Sequence, residues 1–456
     1  MKNRLYYKSA GRYAATTVLG PLLLTAVLMG AKPSEAQAQA DGYSFTPIVF
    51  LGDPAPGGGN FTSDFEPSAI NNRGEMAFTA DLIAPGQEGV FLARGGELSQ
   101  ILRFGQPAPG GGTFSVAELG TIGLNDEGDA AVAFTLEPFQ FDPIVNGGVF
   151  RYSHITQTLS PVVVPGTPTP EGGVFLGVEF DVSLNNRGDI SFVGYVGEPD
   201  SPLLGVYVAD RTGLITTVAS LDTPGPSGGT FNRAANPRVN NKGDVVFNGR
   251  VSTVTDRVQS VYVREAATGN IVPIATAGDP APGGGVLVNT GRPLINERGD
   301  VTFPGFLEPA DPTTGLAPTG IYLHHRNALT RIAGPGDLMP GGGHVTLISA
   351  IDWAVGFNNR GDVGFATGLD TGEEGLYTYS HGSLHLVART GTVIPGVGTI
   401  FSLEMGNSVA PGLPPTPSGY PTCGAQLNER GQTFFGCTLT DGRGVLLLAT
   451  PTGQDN

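Results

Sequence analysis

Basic side chains are scarce in this 456-residue chain, with 25 Lys and Arg against 41 Asp and Glu. A formal charge of −16 repels nucleic acid and anionic lipid, so neither is an expected partner. Histidine is equally sparse: His154, His324, His325, His344, His381 and His385 show no metal-ligand spacing, and the adjacent pair His324-His325 alternates sides of one strand. No Asp-x-Asp-x-Asp-Gly run exists, which leaves calcium only the clustered carboxylates of loops. The Gly-rich segments carry no Lys and lead into no helix, which excludes a phosphate-cradling loop. No cofactor is expected beyond that opening for calcium.

Long apolar runs are missing too, with one exception. Residues 1–40 begin with a basic front (Lys2, Arg4, Lys8, Arg12), continue with an apolar run from Ala14 to Gly30 broken by Gly20 and Pro21, and end in Ala36-Gln-Ala-Gln-Ala40. This is the pattern of a cleavable signal peptide. The run falls short of the ~20 residues of a spanning helix, so an uncleaved anchor is the weaker reading. The mature chain, 41–456, is expected to be exported, secreted or periplasmic, with no membrane span; it keeps 20 Lys and Arg against 40 Asp and Glu.

Cysteine occurs only twice, at Cys423 and Cys437. They flank one hairpin tip, nearly opposing each other if the turn lies at Glu429-Arg430, and an exported chain meets an oxidising compartment. A disulfide between them is therefore expected.

What the chain has in abundance is Gly (70) and Pro (37) at recurrent places, with short alternating runs of Phe, Val, Leu and Ile between them. That composition argues for an all-β protein with a substantial core. One motif recurs seven times: Asn71-x-x-Gly74, Asn125-x-x-Gly128, Asn185-x-x-Gly188, Asn240-x-x-Gly243, Asn296-x-x-Gly299, Asn358-x-x-Gly361 and Asn428-x-x-Gly431. The intervals of 54, 60, 55, 56, 62 and 70 residues are those of a blade rather than a short solenoid repeat. In a type I turn the first-position Asn bonds back to the turn and the fourth-position Gly takes the left-handed conformation leading into the next strand. Asn and Gly are thus structural, and the middle pair is read as free to vary. The apolar residue before each Asn and the Phe four after each Gly (two residues later in the second repeat, at Phe134) are expected to pack between blades.

Each period holds four apolar runs, but the fourth has only six copies after the tips. The seventh is Phe45-Thr-Pro-Ile-Val-Phe50 at the other end, ahead of the first Gly-Asp-Pro-Ala-Pro-Gly-Gly-Gly loop. A linear array would leave two exposed edges, whereas a closed ring pairs them. The expected fold is a seven-bladed β-propeller with four antiparallel strands per blade, closed by an N-terminal strand that completes the last blade. An open β-solenoid is the second choice.

These tips and Pro-Ala-Pro-Gly-Gly-Gly loops, over about Gly52 to Phe435, resemble a group of exported bacterial proteins with tandem Asn-x-x-Gly-x-x-x-Phe repeats and varied C-terminal surface anchors. The resemblance implies an exported repeat protein with no known biochemical activity. Leu446 to Asn456 contains no apolar tail, basic stop or sorting motif, a departure from that pattern.

Function is expected at the end opposite the tips. The Arg-Gly-Asp triplets at 187–189, 298–300 and 360–362 lie inside the repeated turn and read as turn chemistry rather than adhesion. Arg73, Arg187, Lys242, Arg298, Arg360 and Arg430, with Glu127 as the exception, form a ring of tip charges that reads as solubilising; an anionic wall polymer is the sharper alternative. On the other face the second-to-third-strand loops vary in length and carry Asp81, Glu88, Glu137, Asp142, Glu198, Asp200, Glu308, Asp311, Asp370, Glu373 and Glu374. Variable loops on a rigid frame are where specificity resides. Inner-strand residues near that mouth are the candidate binding set: Glu66, Glu118, Glu179, Asp181, Arg238, Arg292, Asp352 and Trp353, together with Arg233. The leading expectation is a non-catalytic propeller that binds a protein or glycan partner there. The alternative is a hydrolase or lyase acting on a carbohydrate or lactone, which requires titratable groups converging in one pocket.

Overall fold

Alternating apolar runs punctuated by Asn-x-x-Gly become antiparallel strands, and nothing else: the described part of the chain contains strands and turns but no helix. In the computed structural model this covers residues 42–453 except 84–87, 116–120, 139–145, 199–200, 253–257, 310–317, 350–353 and 404–422. The expected signal segment therefore lies outside the described residues. Among those residues no helix is long and apolar enough to cross a membrane.

Seven antiparallel sheets form the blades of a propeller. Blade three is the plainest, with inner strand Gly177–Leu184, second strand Ile190–Glu198, third strand Ser201–Ala209 and outer strand Ile215–Ala219. Blade one (Phe61–Ile70 to Glu97–Arg103) and blade four (Phe231–Val239 to Ile271–Ala275) follow the same order. In blades two, five, six and seven the inner strand is split, as in Val286–Thr290 and Leu294–Ile295 of blade five. The inner strands touch one another in sequence around the ring, ending with Gln426–Leu427 of blade seven against Phe61–Ile70 of blade one.

The closure follows the expectation. Tyr43–Phe50 pairs antiparallel with Gly444–Pro451, from Tyr43 opposite Pro451 to Phe50 opposite Val445, as the outer strand of blade seven. The first strand of the propeller thus completes its last blade, and neither edge is left open.

Cohesion lies between the blades. Each large apolar cluster joins two neighbours, for example Val193, Val206 and Val218 of blade three with Phe231, Val245 and Phe247 of blade four. The Phe after each tip is the recurrent piece: Phe78, Phe192, Phe247, Phe303, Phe365 and Phe435 are fully buried. Four of them stack on an aromatic directly across the strand pair, with centroids 5.6 to 5.8 Å apart: Phe78 on Phe91, Phe192 on Tyr207, Phe247 on Tyr262 and Phe303 on Tyr322. In blade two Val132 takes that place opposite Phe150, while the displaced Phe134 packs edge-on against Phe104 and Phe114, still buried on the same side.

The tips do more than turn the chain. In all seven, the Asn Oδ1 accepts backbone N–H groups two and four residues on, as Asn185 does from Arg187 (3.0 Å) and Asp189 (2.8 Å). In six of the seven the Nδ2 then reaches the next blade: Asn71 donates to the Asn125 carbonyl, Asn185 to that of Asn240, Asn240 to that of Asn296, and so on to Asn428, which donates to Asn71 at 3.1 Å. The residue after the Asn makes a second ring. Asn72, Asp126, Asn186, Asn241, Glu297, Asn359 and Glu429 each accept the backbone N–H of the same position in the preceding blade, at 2.7 to 2.9 Å. The middle pair is therefore not free to vary: its first member always carries a side-chain oxygen acceptor.

The backbone requires the glycine: all seven tip glycines have φ between 72° and 93°. In the three Arg-Gly-Asp copies the Arg pairs with its own Asp, Arg187 with Asp189 at 2.6 Å, Arg298 with Asp300 at 2.9 Å and Arg360 with Asp362 at 2.7 Å, and each Asp is buried. The triplets are internally satisfied turns.

Acid should loosen this ring. Burial pushes the Asp300 carboxyl up, but hydrogen bonds from Asn296, His325 and Arg298 outweigh it and hold the group below its ordinary value. A depressed folded pKa gives stability that is present above the unfolded value, ~3.9, and is lost as pH falls through the folded one. Thermal unfolding followed by circular dichroism is expected to show Tm falling below about pH 4, with a shallower fall for Asp300→Asn.

The expected disulfide is not shown. Cys423 and Cys437 are free thiols, both buried. The register of Gln426 with Phe434 and Leu427 with Thr433 would place the cysteines opposite each other if continued. Gly424 interrupts it with φ 71°, and the Gly436 N–H donates to the Cys423 carbonyl at 2.7 Å, one residue out of step. The Cys423 thiol instead lies 3.1 Å from the Gly424 carbonyl. Burial raises both thiols well above their ordinary range, which removes the reactive thiolate.

Candidate functional site at the channel mouth

Inner strands of this propeller do not run straight. Pairing breaks between Ser63 and Glu66, between Val178 and Val182, and between Ala235 and Arg238, and the splits in the other blades fall at comparable places. Bulges re-aim side chains, and the charged candidates sit at these breaks.

Blades three, four and five bring five of them together. Glu179 Oε1 lies 3.6 Å from Arg233 Nη2 and 3.4 Å from the Tyr195 hydroxyl. Asp181, whose side chain is only 4% exposed, forms ion pairs with Arg292 and, at 4.0 Å, with Arg238. Thr121 of blade two adds a hydroxyl 3.4 Å from Asp181 Oδ1 and donates to the Val182 carbonyl. Glu66 stands apart in blade one, accepting from Thr79 at 3.2 Å. Glu118, Asp352 and Trp353 lie outside the described residues.

Tyr195 and Thr121 were not in the candidate set. Tyr195 is the sixth residue of a second strand whose counterparts are Asp81, Thr135, Arg250, Phe306, Gly368 and Thr438. Asp81 and Arg250 likewise reach back to the inner strand, bonding Ser63 and Asn232.

Burial lifts the Glu179 carboxyl above its usual range, although Arg233 draws it down. A raised folded pKa gives stability that is full below the unfolded value, ~4.3, and disappears as pH rises through the folded one. The charged form of the Glu179 carboxyl therefore opposes folding. Glu179→Gln is expected to match or exceed the parent Tm at pH 7 by differential scanning calorimetry, with the advantage lost near pH 4.

The loop-face acids are largely spoken for. Glu374, fully buried, accepts from the Leu403 N–H (2.6 Å) and Ser402 (3.0 Å); Glu373 pairs with Arg389; Asp370 accepts from the backbone and ring of His344; and Glu137 accepts from Ser115. Asp142, Asp200 and Asp311 lie outside the described residues. Among the described residues no three of His, Cys, Asp and Glu gather as a metal site. The loops between blades are regular: at their second position Asp53, Gln106, Thr167, Thr223, Asp279, Asp337 and Thr392 each accept a backbone N–H three residues back.

A cleft of about 720 Å³ runs along the seam of blades six and seven, lined in part by Tyr43, Asp362, Ser380, His381 and His385. Ser380 donates to Asp362 at 2.5 Å, with His381 Nδ1 2.9 Å away. The hydroxyl proton points at the Asp362 carboxylate and not at His381, unlike the arrangement of a nucleophilic triad. Asp129 with His154 and Asp300 with His325 make the same brace in blades two and five.

Known structures share the architecture. The chain is similar to a puromycin-hydrolyzing peptidase of Mycobacterium tuberculosis (12% identity, TM-score 0.50, 86% of this chain and 53% of that one). It is also similar to the β-propeller domain of the Trilobed protease from Pyrococcus furiosus (9% identity, TM-score 0.47, 86% and 97%) and to the polysaccharide lyase Uly1 (9%, TM-score 0.42, 91% and 100%). At such identities the likeness concerns the fold alone. No curated protein matches the sequence. A family model does, over residues 25–445, and the chain therefore belongs to the family of unknown function DUF7453.

Proposed function

We propose that this is an exported, non-catalytic propeller that binds a protein or glycan partner at the loop end of its channel. The observation that supports the reading is the pairing of the mouth charges: Glu179 faces Arg233, and Asp181 faces Arg238 and Arg292. A general acid and base need two titratable groups poised around a substrate. Carboxylates matched with guanidiniums, Asp181 with two of them, hold a ligand better than they move its protons. The opposite face supports the same assignment, because its polar groups are consumed in the two inter-blade rings.

The test is retention of the purified chain on surface polysaccharides and on intact cells, with and without calcium, together with a reducing-end assay on the same polymers. Retention without bond cleavage is the expected result. Released reducing ends would establish an enzyme instead, and no retention on any polymer or cell would leave only a structural role.

A further inference from the structure

Glu179 and Arg233 stand at the mouth with their mutual contact open. At 3.6 Å the pair is beyond hydrogen-bond length, the Tyr195 hydroxyl is at a long 3.4 Å from the same Glu179 oxygen, and the Arg233 Nε is buried with no hydrogen-bond partner. Both side chains can still be reached from solvent, Arg233 at 36% and Glu179 at 24% exposure. Each sits beside a break in strand pairing, between Val178 and Val182 in one blade and between Phe231 and Arg233 in the next. Bringing opposite charges this far out of water without closing the bond is costly, and the cost is recovered when a third group bridges them.

We propose that Glu179 and Arg233 bind a neutral sugar through a hydroxyl group that bridges them. This rests on the reading of the mouth as a binding site and names its ligand class. A hydroxyl donates to a carboxylate and accepts from a guanidinium through a single oxygen atom. The hydroxyl donates to Glu179 and accepts from the Arg233 Nη2, the two atoms that face each other at 3.6 Å. An anion arriving at Arg233 meets Glu179, with Asp181 close enough to raise the Glu179 carboxyl further. A cation arriving at Glu179 meets Arg233, with Arg292 also acting on that carboxylate. Mixed charge at this spacing thus discriminates against ions of either sign and favours a polyol.

Affinity electrophoresis of the full chain through gels holding mannan, dextran or xyloglucan, and in parallel alginate or polygalacturonate, tests this. Retardation by at least one neutral polymer and by neither acidic one is expected. Glu179→Ala and Arg233→Ala should each weaken it tenfold or more, Glu179→Gln and Arg233→Lys less so, and Arg211→Ala on the tip face not at all. The conservative pair keeps the test decisive should an alanine variant fail to fold. Retardation by acidic polymers alone, or unchanged in folded variants, overturns the sugar assignment and leaves the broader binding reading. Absence of retardation by every polymer, with cell retention intact, does the same; absence of both overturns the two together.

Discussion

Asn185→Ala is expected to lower unfolding free energy by about 3 kcal/mol, against about 1 kcal/mol for the neighbouring Asn186→Ala, by urea denaturation. The difference follows from what each side chain holds. Asn185 is buried and makes four hydrogen bonds: it accepts from the Arg187 and Asp189 amides and donates to the Asp189 carboxylate and the Asn240 carbonyl. Alanine strands two backbone donors and one backbone acceptor, and unpaired buried groups cost roughly 1–3 kcal/mol each before relaxation and water entry. Asn186 is exposed; its loss frees the Asp126 amide, which water can reach. Equal effects would show that the inner ring contributes nothing beyond the turn.

Deleting Tyr43–Phe50 has the largest expected consequence: loss of the folded monomer, read as aggregation in size-exclusion chromatography and loss of cooperative melting. The segment supplies the outer strand of blade seven along the whole of Gly444–Pro451. It also buries Val49 and packs Ile48 against Phe61, Phe78 and Phe434 at the junction of blades seven and one. Without it Gly444–Pro451 becomes an exposed apolar edge, and such edges pair with other chains. Adding the strand back as a peptide should restore some monomer, because the closing contact is non-covalent. A deleted chain that melts as sharply as the parent would show that the ring does not depend on closure.

How far the sequence could be read depends on how local each cause is. The tip from Asn71 to Gly74 was legible because its turn is decided within five residues, by the Asn oxygen and a left-handed Gly. The closing strand was legible by counting, since six fourth strands and one spare N-terminal strand admit one tidy ring. The acceptor column from Asn72 to Glu429 was present in the sequence but concealed, because Asn, Asp and Glu look like ordinary solvated turn residues until the next blade supplies the donor. Cys423 and Cys437 show the converse. Their spacing suggested a bond, and a single positive-φ glycine between them and the turn shifted the register by one.

By itself, then, the sequence determined the strand order, the period, the blade number and the turn chemistry, all of which rest on interactions within one hairpin or on edge pairing. Only the tertiary structure decided what spans blades: Asn428 donating to Asn71 across 357 residues, Glu179 facing Arg233, and Asp181 shared between Arg238 and Arg292. The physical reason is that a hydrogen bond or ion pair has no sequence signature of its own. Its partners are chosen by ring closure, which places residues of adjacent blades within reach whatever their separation along the chain.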